Sequence, residues 1–117
     1  MVAKPMAAAN PWVDVAIPTG LDLARNMLVA HADAIVAIGG GAGTLSELAL
    51  AWQLRRLVIA YRVAGWSGRL ADERIDARVR YPELAGDRVY GVDDASEVIA
   101  LLEGLLPRYD RSHRGVR

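Results

Sequence analysis

Five consecutive apolar residues, Ala34, Ile35, Val36, Ala37 and Ile38, run directly into Gly39, Gly40, Gly41, Ala42, Gly43 and Thr44. An unbroken apolar run of this length reads as a strand covered on both faces, the environment of a parallel sheet. From Thr44 the period becomes helical, because Leu45, Leu48, Ala49 and Trp52 recur at i, i+3, i+4 and i+7 and define a packing face. Leu50, Ala51 and Leu54 lie on the other side, so this helix needs cover on more than one side, and a dimer contact is expected there. Arg55 and Arg56 close it at its negative end, and residues 57–60 (LVIA) read as a second buried strand. The unit is strand, glycine turn, helix, strand.

The flanking segments extend the same alternation. Residues 1–11, alanine-rich and broken by Pro5 and Pro11, suit a loop, and 12–17 form a short extended run stopped by Pro18. Thr19 is then the expected N-cap of a helix that begins near Leu21, carries Asp22 in its first turn and reaches His31. Residues 64–86, with Gly65 and Gly68, read as a loop followed by a short helix, and 89–92 as a third strand. Asp94 and Glu97 make an acidic start for a helix bearing Val98, Ile99, Leu102 and Leu105, which Pro107 ends. The expected class is α/β, a Rossmann-like open parallel sheet with helices on both faces. It fills one domain, 1–107, and leaves 108–117 as a basic, flexible tail.

Composition narrows the chemistry. At 117 residues, 53% of them hydrophobic, the chain suffices for one core and one site. Lys and Arg total 14 and Asp and Glu total 14, so no net field recruits nucleic acid or an anionic membrane, and a small ligand is the expected partner. Without cysteine there is no disulfide framework, thiolate nucleophile or thiolate-bound zinc, and His31 and His113 lack the carboxylate neighbours of a metal site, so no metal is expected. No long apolar run or cleavage-site pattern marks the N-terminus, so the expected location is the cytoplasm.

Glycines between the end of a parallel strand and the start of a helix let a backbone approach an anion closely, and the helix mouth supplies unpaired N–H groups and partial positive charge. A phosphate is the expected occupant. The spacing is neither that of a P-loop, which needs a lysine after its last glycine, nor G-x-G-x-x-G, so NTP hydrolysis and NAD chemistry are disfavoured. Thr44 and Glu47 also fit a capping box, which would give this glutamate a purely structural role; one turn from the phosphate, it could instead contact a ribose or move a proton. Arg25 either pairs with Asp22 on the surface or clamps a phosphate. Trp66 suits a lid, a stacking platform or a packed loop aromatic.

The stretches IPTGLDLARN, ADAIVAIGGGAGTLSELALAW and VAGWSGRL together resemble the LOG (Lonely Guy, lysine decarboxylase-like) superfamily, and look closest to its molybdenum-cofactor carrier branch. The resemblance covers residues 9–104. Its hallmark, P-G-G-x-G-T-x-x-E, stands here from Gly39 to Glu47 with Gly39 in place of the proline. LOG enzymes release the base from nucleoside 5′-monophosphates, and the resemblance maps their catalytic arginine and glutamate onto Arg25 and Glu47. Phosphate or nucleotide contacts are expected at Gly39, Gly40, Gly41, Gly43, Thr44, Thr19 and Asn26. Asn26 stands where LOG enzymes commonly carry lysine, as in the carrier branch, which moves the expectation from catalysis to binding. No cofactor is required, and a nucleoside monophosphate or the molybdenum cofactor is the ligand implied. Family members begin with two further strand and helix units, so the fold is expected to be incomplete, with the edge of strand 34–38 covered by another subunit of a homodimer or larger homo-oligomer, or by residues preceding a misassigned Met1. Beside the binding protein stand two alternatives, a nucleoside-monophosphate hydrolase and a ligand-free oligomeric partner.

Overall fold

Leu57, Val58, Ile59 and Ala60 are completely shielded from solvent, side chains of both parities alike, which places this strand at the centre of a sheet covered on two faces. In the computed structural model the described residues are 32–109. They form β1 (Ala34–Ala37), α1 (Ala42–Gln53), β2 (Leu57–Tyr61), α2 (Trp66–Leu70), β3 (Tyr90–Val92) and α3 (Ala95–Leu105). The three strands pair in parallel in the order β1-β2-β3, with Ala34 opposite Leu57 and Ile59 opposite Tyr90. This is the Rossmann-like α/β arrangement, a partial open sheet with helices on both faces. The strand of 12–17, the helix of 21–31 and the tail from 110 lie outside the described residues.

The pleat sorts the core into two halves. Ile35, Ala37, Val58 and Ala60 meet Leu48, Ala51 and Trp52 of α1 on one face. Leu57, Ile59, Tyr90 and Val92 meet Tyr81, Leu84 and Tyr109 on the other, with Val98, Leu101, Leu102 and Leu105 of α3 packed against them. The first strand departs from the expected double burial, because Val36 is 41% exposed. It shares a face with Leu57 and Ile59, but α3 packs chiefly over β3. Ile38 falls past the strand end and is 68% exposed as the chain turns into Gly39.

The buried stripe of α1 is Leu48, Ala51 and Trp52, not the expected Leu45, Leu48, Ala49 and Trp52. Leu50 and Leu54 pack half-buried against the same cluster.

Residues 71–89 carry little regular structure yet are anchored firmly. Arg80 is buried; its guanidinium lies 3.8 Å from the Trp52 ring centre and grips Asp87 at 2.9 and 2.7 Å. It also donates to the carbonyls of Trp52, near the C-terminal end of α1, and of Arg56, in the turn before β2. Tyr109 donates to Asp87 and meets the hydroxyl of Tyr90. This tyrosine, expected in a solvated tail, is instead fully buried, because the chain continues past Pro107 in a 3-10 turn that returns it to the core. Asp72 closes the outer edge of β3: its amide donates to the Val89 carbonyl at 2.7 Å, and its carboxylate accepts the Gly91 amide at 3.1 Å. Among the described residues no helix is long and apolar enough to cross a membrane.

Candidate functional site

At the C-terminal end of β1 the backbone reverses through Gly39 and Gly40, with φ of 67° and 93°. A side chain at Gly40 would fall 2.0 Å from Oγ1 of Thr44, so both the backbone angle and the space demand glycine there. This turn is welded to the one that follows β2. The Gly39 amide donates to Oγ of Ser67 at 2.6 Å, the Ser67 amide returns to the Gly39 carbonyl at 3.0 Å, and the Trp66 amide donates to the Gly40 carbonyl at 3.0 Å. The Ser67 hydroxyl passes its own proton to the Tyr61 carbonyl at 2.8 Å. Gly65, at φ 113°, sits so close that a Cβ would lie 2.7 Å from the Gly39 carbonyl carbon.

Beyond the weld the backbone opens. Gly41 is the N-cap of α1 and supplies no side-chain cap, and the first helical bond runs from Leu45 N–H to the Gly41 carbonyl at 3.0 Å. The amides of Ala42, Gly43 and Thr44 therefore precede the hydrogen-bonded ladder, where an α-helix concentrates unpaired donors and partial positive charge. Gly40, Gly41, Ala42 and Gly43 are all exposed. A Cβ at Gly41 or Gly43 would meet no atom of the described residues within 4 Å, so packing among those residues does not explain these two glycines.

Because α1 begins at Ala42, Thr44 occupies the third helical position and Glu47 the sixth. The capping box that T-x-x-E suggested therefore does not form: it needs the threonine at the N-cap, which Gly41 occupies. Glu47 is half-buried and has no hydrogen bond or ion pair among the described residues. Gly39, Gly40, Gly41, Gly43, Thr44 and Glu47 thus lie on one turn and the first two turns of one helix. Thr19, Arg25 and Asn26 lie outside the described residues.

The neighbouring residues were harder to foresee. A cleft of about 360 Å³ opens beside the weld, lined by residues that include Gly65, Gly68, Arg62, Arg69 and Asp72. Arg62 is spoken for: it holds Asp72 at 2.9 Å and Asp93 at 2.8 Å. These contacts raise the Arg62 pKa and, chiefly through the hydrogen bond from Arg62, hold the Asp72 carboxyl below the usual carboxylate value. Arg69 stacks on the indole of Trp66, 4.4 Å from the ring centre. Of the readings open for Trp66, the structure shows a half-buried ring that stacks a guanidinium. The sequence signal for this second turn was the pair Gly65 and Gly68 flanking Trp66 and Ser67, recognisable only once the first turn is seen to touch it.

A family model matches residues 2–89, three quarters of the chain, including β1, the glycine turn, α1, β2 and the Ser67 turn. The chain belongs to the SLOG cluster4 family. It is thereby a member of the SLOG superfamily, which includes the LOG-like proteins. The match ends at Val89, so β3 and α3 of this SLOG protein lie beyond it. An uncharacterized protein of Archaeoglobus fulgidus is 44% identical over 43 residues, 36% of this chain and 28% of the relative. The aligned part thus spans little more than a quarter of that relative's length. No solved structure gives a significant match.

Proposed function

We propose that this SLOG protein binds a nucleotide-related, phosphorylated small molecule, with the phosphate on the amides of Gly41, Ala42, Gly43 and Thr44. The observation that carries the reading is the exposed mouth of α1, where Gly41 and Gly43 leave space that no described residue uses. A Cβ at either position would instead occupy the space through which an anion approaches the amides. Family membership supports the nucleotide class, and the carrier-like branch, with a nucleoside monophosphate or molybdopterin-type phosphate as ligand, is the finer form of the proposal. Thr19, Arg25 and Asn26 are proposed to complete the site, in a homo-oligomer of the cytoplasm. Thermal denaturation with AMP tests it: a hundredfold excess over the dissociation constant should stabilise the fold by about 2.7 kcal/mol. Unchanged melting with AMP and with inorganic phosphate would refute ligand binding and leave an oligomeric partner without a ligand.

The carboxylate of Glu47, without a hydrogen bond or ion pair among the described residues, favours a second reading, hydrolysis of a nucleoside 5′-monophosphate. Relieved of a capping role, it stands one helical turn inside the phosphate mouth, where it could assist cleavage of the N-glycosidic bond with Arg25 as its partner. Incubation with AMP should then release free adenine, and Glu47→Gln should abolish the release while AMP binding persists.

A further inference from the structure

Two turns at the C-terminal ends of adjacent parallel strands are fused through Gly65, which touches Gly39 and Gly40 on one side and lines the 360 Å³ cleft on the other. Ligands of open α/β sheets bind at these strand ends, and the cleft is of a size for a small molecule. Two guanidinium groups and one carboxylate line it. Arg62 is neutralised by Asp72 and Asp93, whereas Arg69 has no carboxylate partner among the described residues and is the uncompensated charge. Its head rests over the Trp66 ring, 4.4 Å from the ring centre, and the Trp66 amide is itself tied to the Gly40 carbonyl. A pre-oriented guanidinium loses little conformational freedom on taking an anion and matches phosphate geometry with paired donors.

We infer that the ligand bears a second phosphate beyond the one at the glycine turn, and that Arg69, held by Trp66, binds it. The protein is then selective for a nucleoside diphosphate unit over a monophosphate. This rests on the phosphate site proposed at the mouth of α1. Arg62 remains a structural cation, held by Asp72 and Asp93, and Gly65 lets the two turns pack backbone against backbone.

The test is titration of ADP and AMP, at one fixed ionic strength, into the wild-type protein, Arg69→Ala and Arg69→Lys, with thermal melts to verify that the exposed substitutions leave the fold intact. Wild type should bind ADP about tenfold or more tightly than AMP, the scale of one charge-assisted contact. Arg69→Ala should bring the two affinities together by weakening ADP while AMP stays within about twofold, and Arg69→Lys should restore part of the preference. Equal affinities in wild type, or an ADP preference that survives Arg69→Ala, would overturn the assignment and leave the glycine-turn site standing. Failure of wild type to bind either nucleotide would overturn both.

Discussion

The amide of Gly39 and the hydroxyl of Ser67, 28 residues apart in sequence, form a 2.6 Å hydrogen bond that joins the two turns at the top of the sheet. Ser67 is completely buried and relays the contact to the Tyr61 carbonyl, so one hydroxyl satisfies a donor from the first turn and an acceptor from the end of β2. Replacing it by alanine strands both groups, at a cost of about 1–3 kcal/mol. Urea denaturation of Ser67→Ala should show that loss, and amide exchange at Gly39 should quicken with it. A midpoint equal to wild type would mean that the weld does not hold the turn.

Gly43 and Gly104 provide a matched pair. Each lies within a helix, and at each a Cβ meets no atom of the described residues within 4 Å. Glycine-to-alanine changes at such positions should raise stability by about 0.5–1 kcal/mol. The two should differ in binding: Gly43→Ala crowds the helix mouth and should weaken AMP, whereas Gly104→Ala should leave the affinity unchanged. Equal affinities in both variants would count against a phosphate at Gly43.

The buried pair of Arg80 and Asp87 has side chains only 1% and 2% exposed. Asp87→Ala leaves a guanidinium in the core without its counter-ion and should destabilise the protein by about 3–5 kcal/mol. Tyr109→Phe removes one neutral donor to that carboxylate and should cost less, about 1–2 kcal/mol. Denaturation midpoints of the two variants would establish the ranking; a reversed order would show that the phenol, not the ion pair, secures residues 71–89.

The pH dependence has a limb on each side. Asp72, held low mainly by the Arg62 hydrogen bond, Asp76 by the Trp52 indole and Asp94 by Ser96, all have carboxyl pKa values lowered in the folded state. Their contribution is present above the unfolded carboxylate pKa of about 4 and disappears as pH falls through the lower folded values. Tyr109 runs the other way. Burial first, then its bonds to Asp87 and Tyr90, raise its phenol pKa far above the ordinary value. Its contribution is complete below the unfolded tyrosine pKa of about 10 and is lost as pH rises beyond it. Melting temperatures across the range should therefore fall below about pH 4 and above about pH 10. Asp72→Asn should flatten the acid limb and Tyr109→Phe the alkaline one.

What the amino-acid order determined by itself was local. The apolar runs marked β1 and β2, the Gly39 to Gly43 cluster marked a break between strand and helix, and Asp94 with Glu97 marked the start of α3, because each signal lies within a turn or two of the element it specifies. The tertiary structure decided whatever depends on partners far along the chain. Gly41 rather than Thr44 became the helix cap, and that released Glu47 from the role its spacing suggested. Ser67 acquired meaning only when the turn after β2 met the one after β1, and Arg80 only when it found the carbonyls of Trp52 and Arg56. Tyr109 reads as a tail residue until its hydrogen bond to the buried Asp87 is seen. A sequence pattern records which way a side chain points along its own element; which distant carbonyl, ring or carboxylate awaits it is set by packing, to which a linear order is blind.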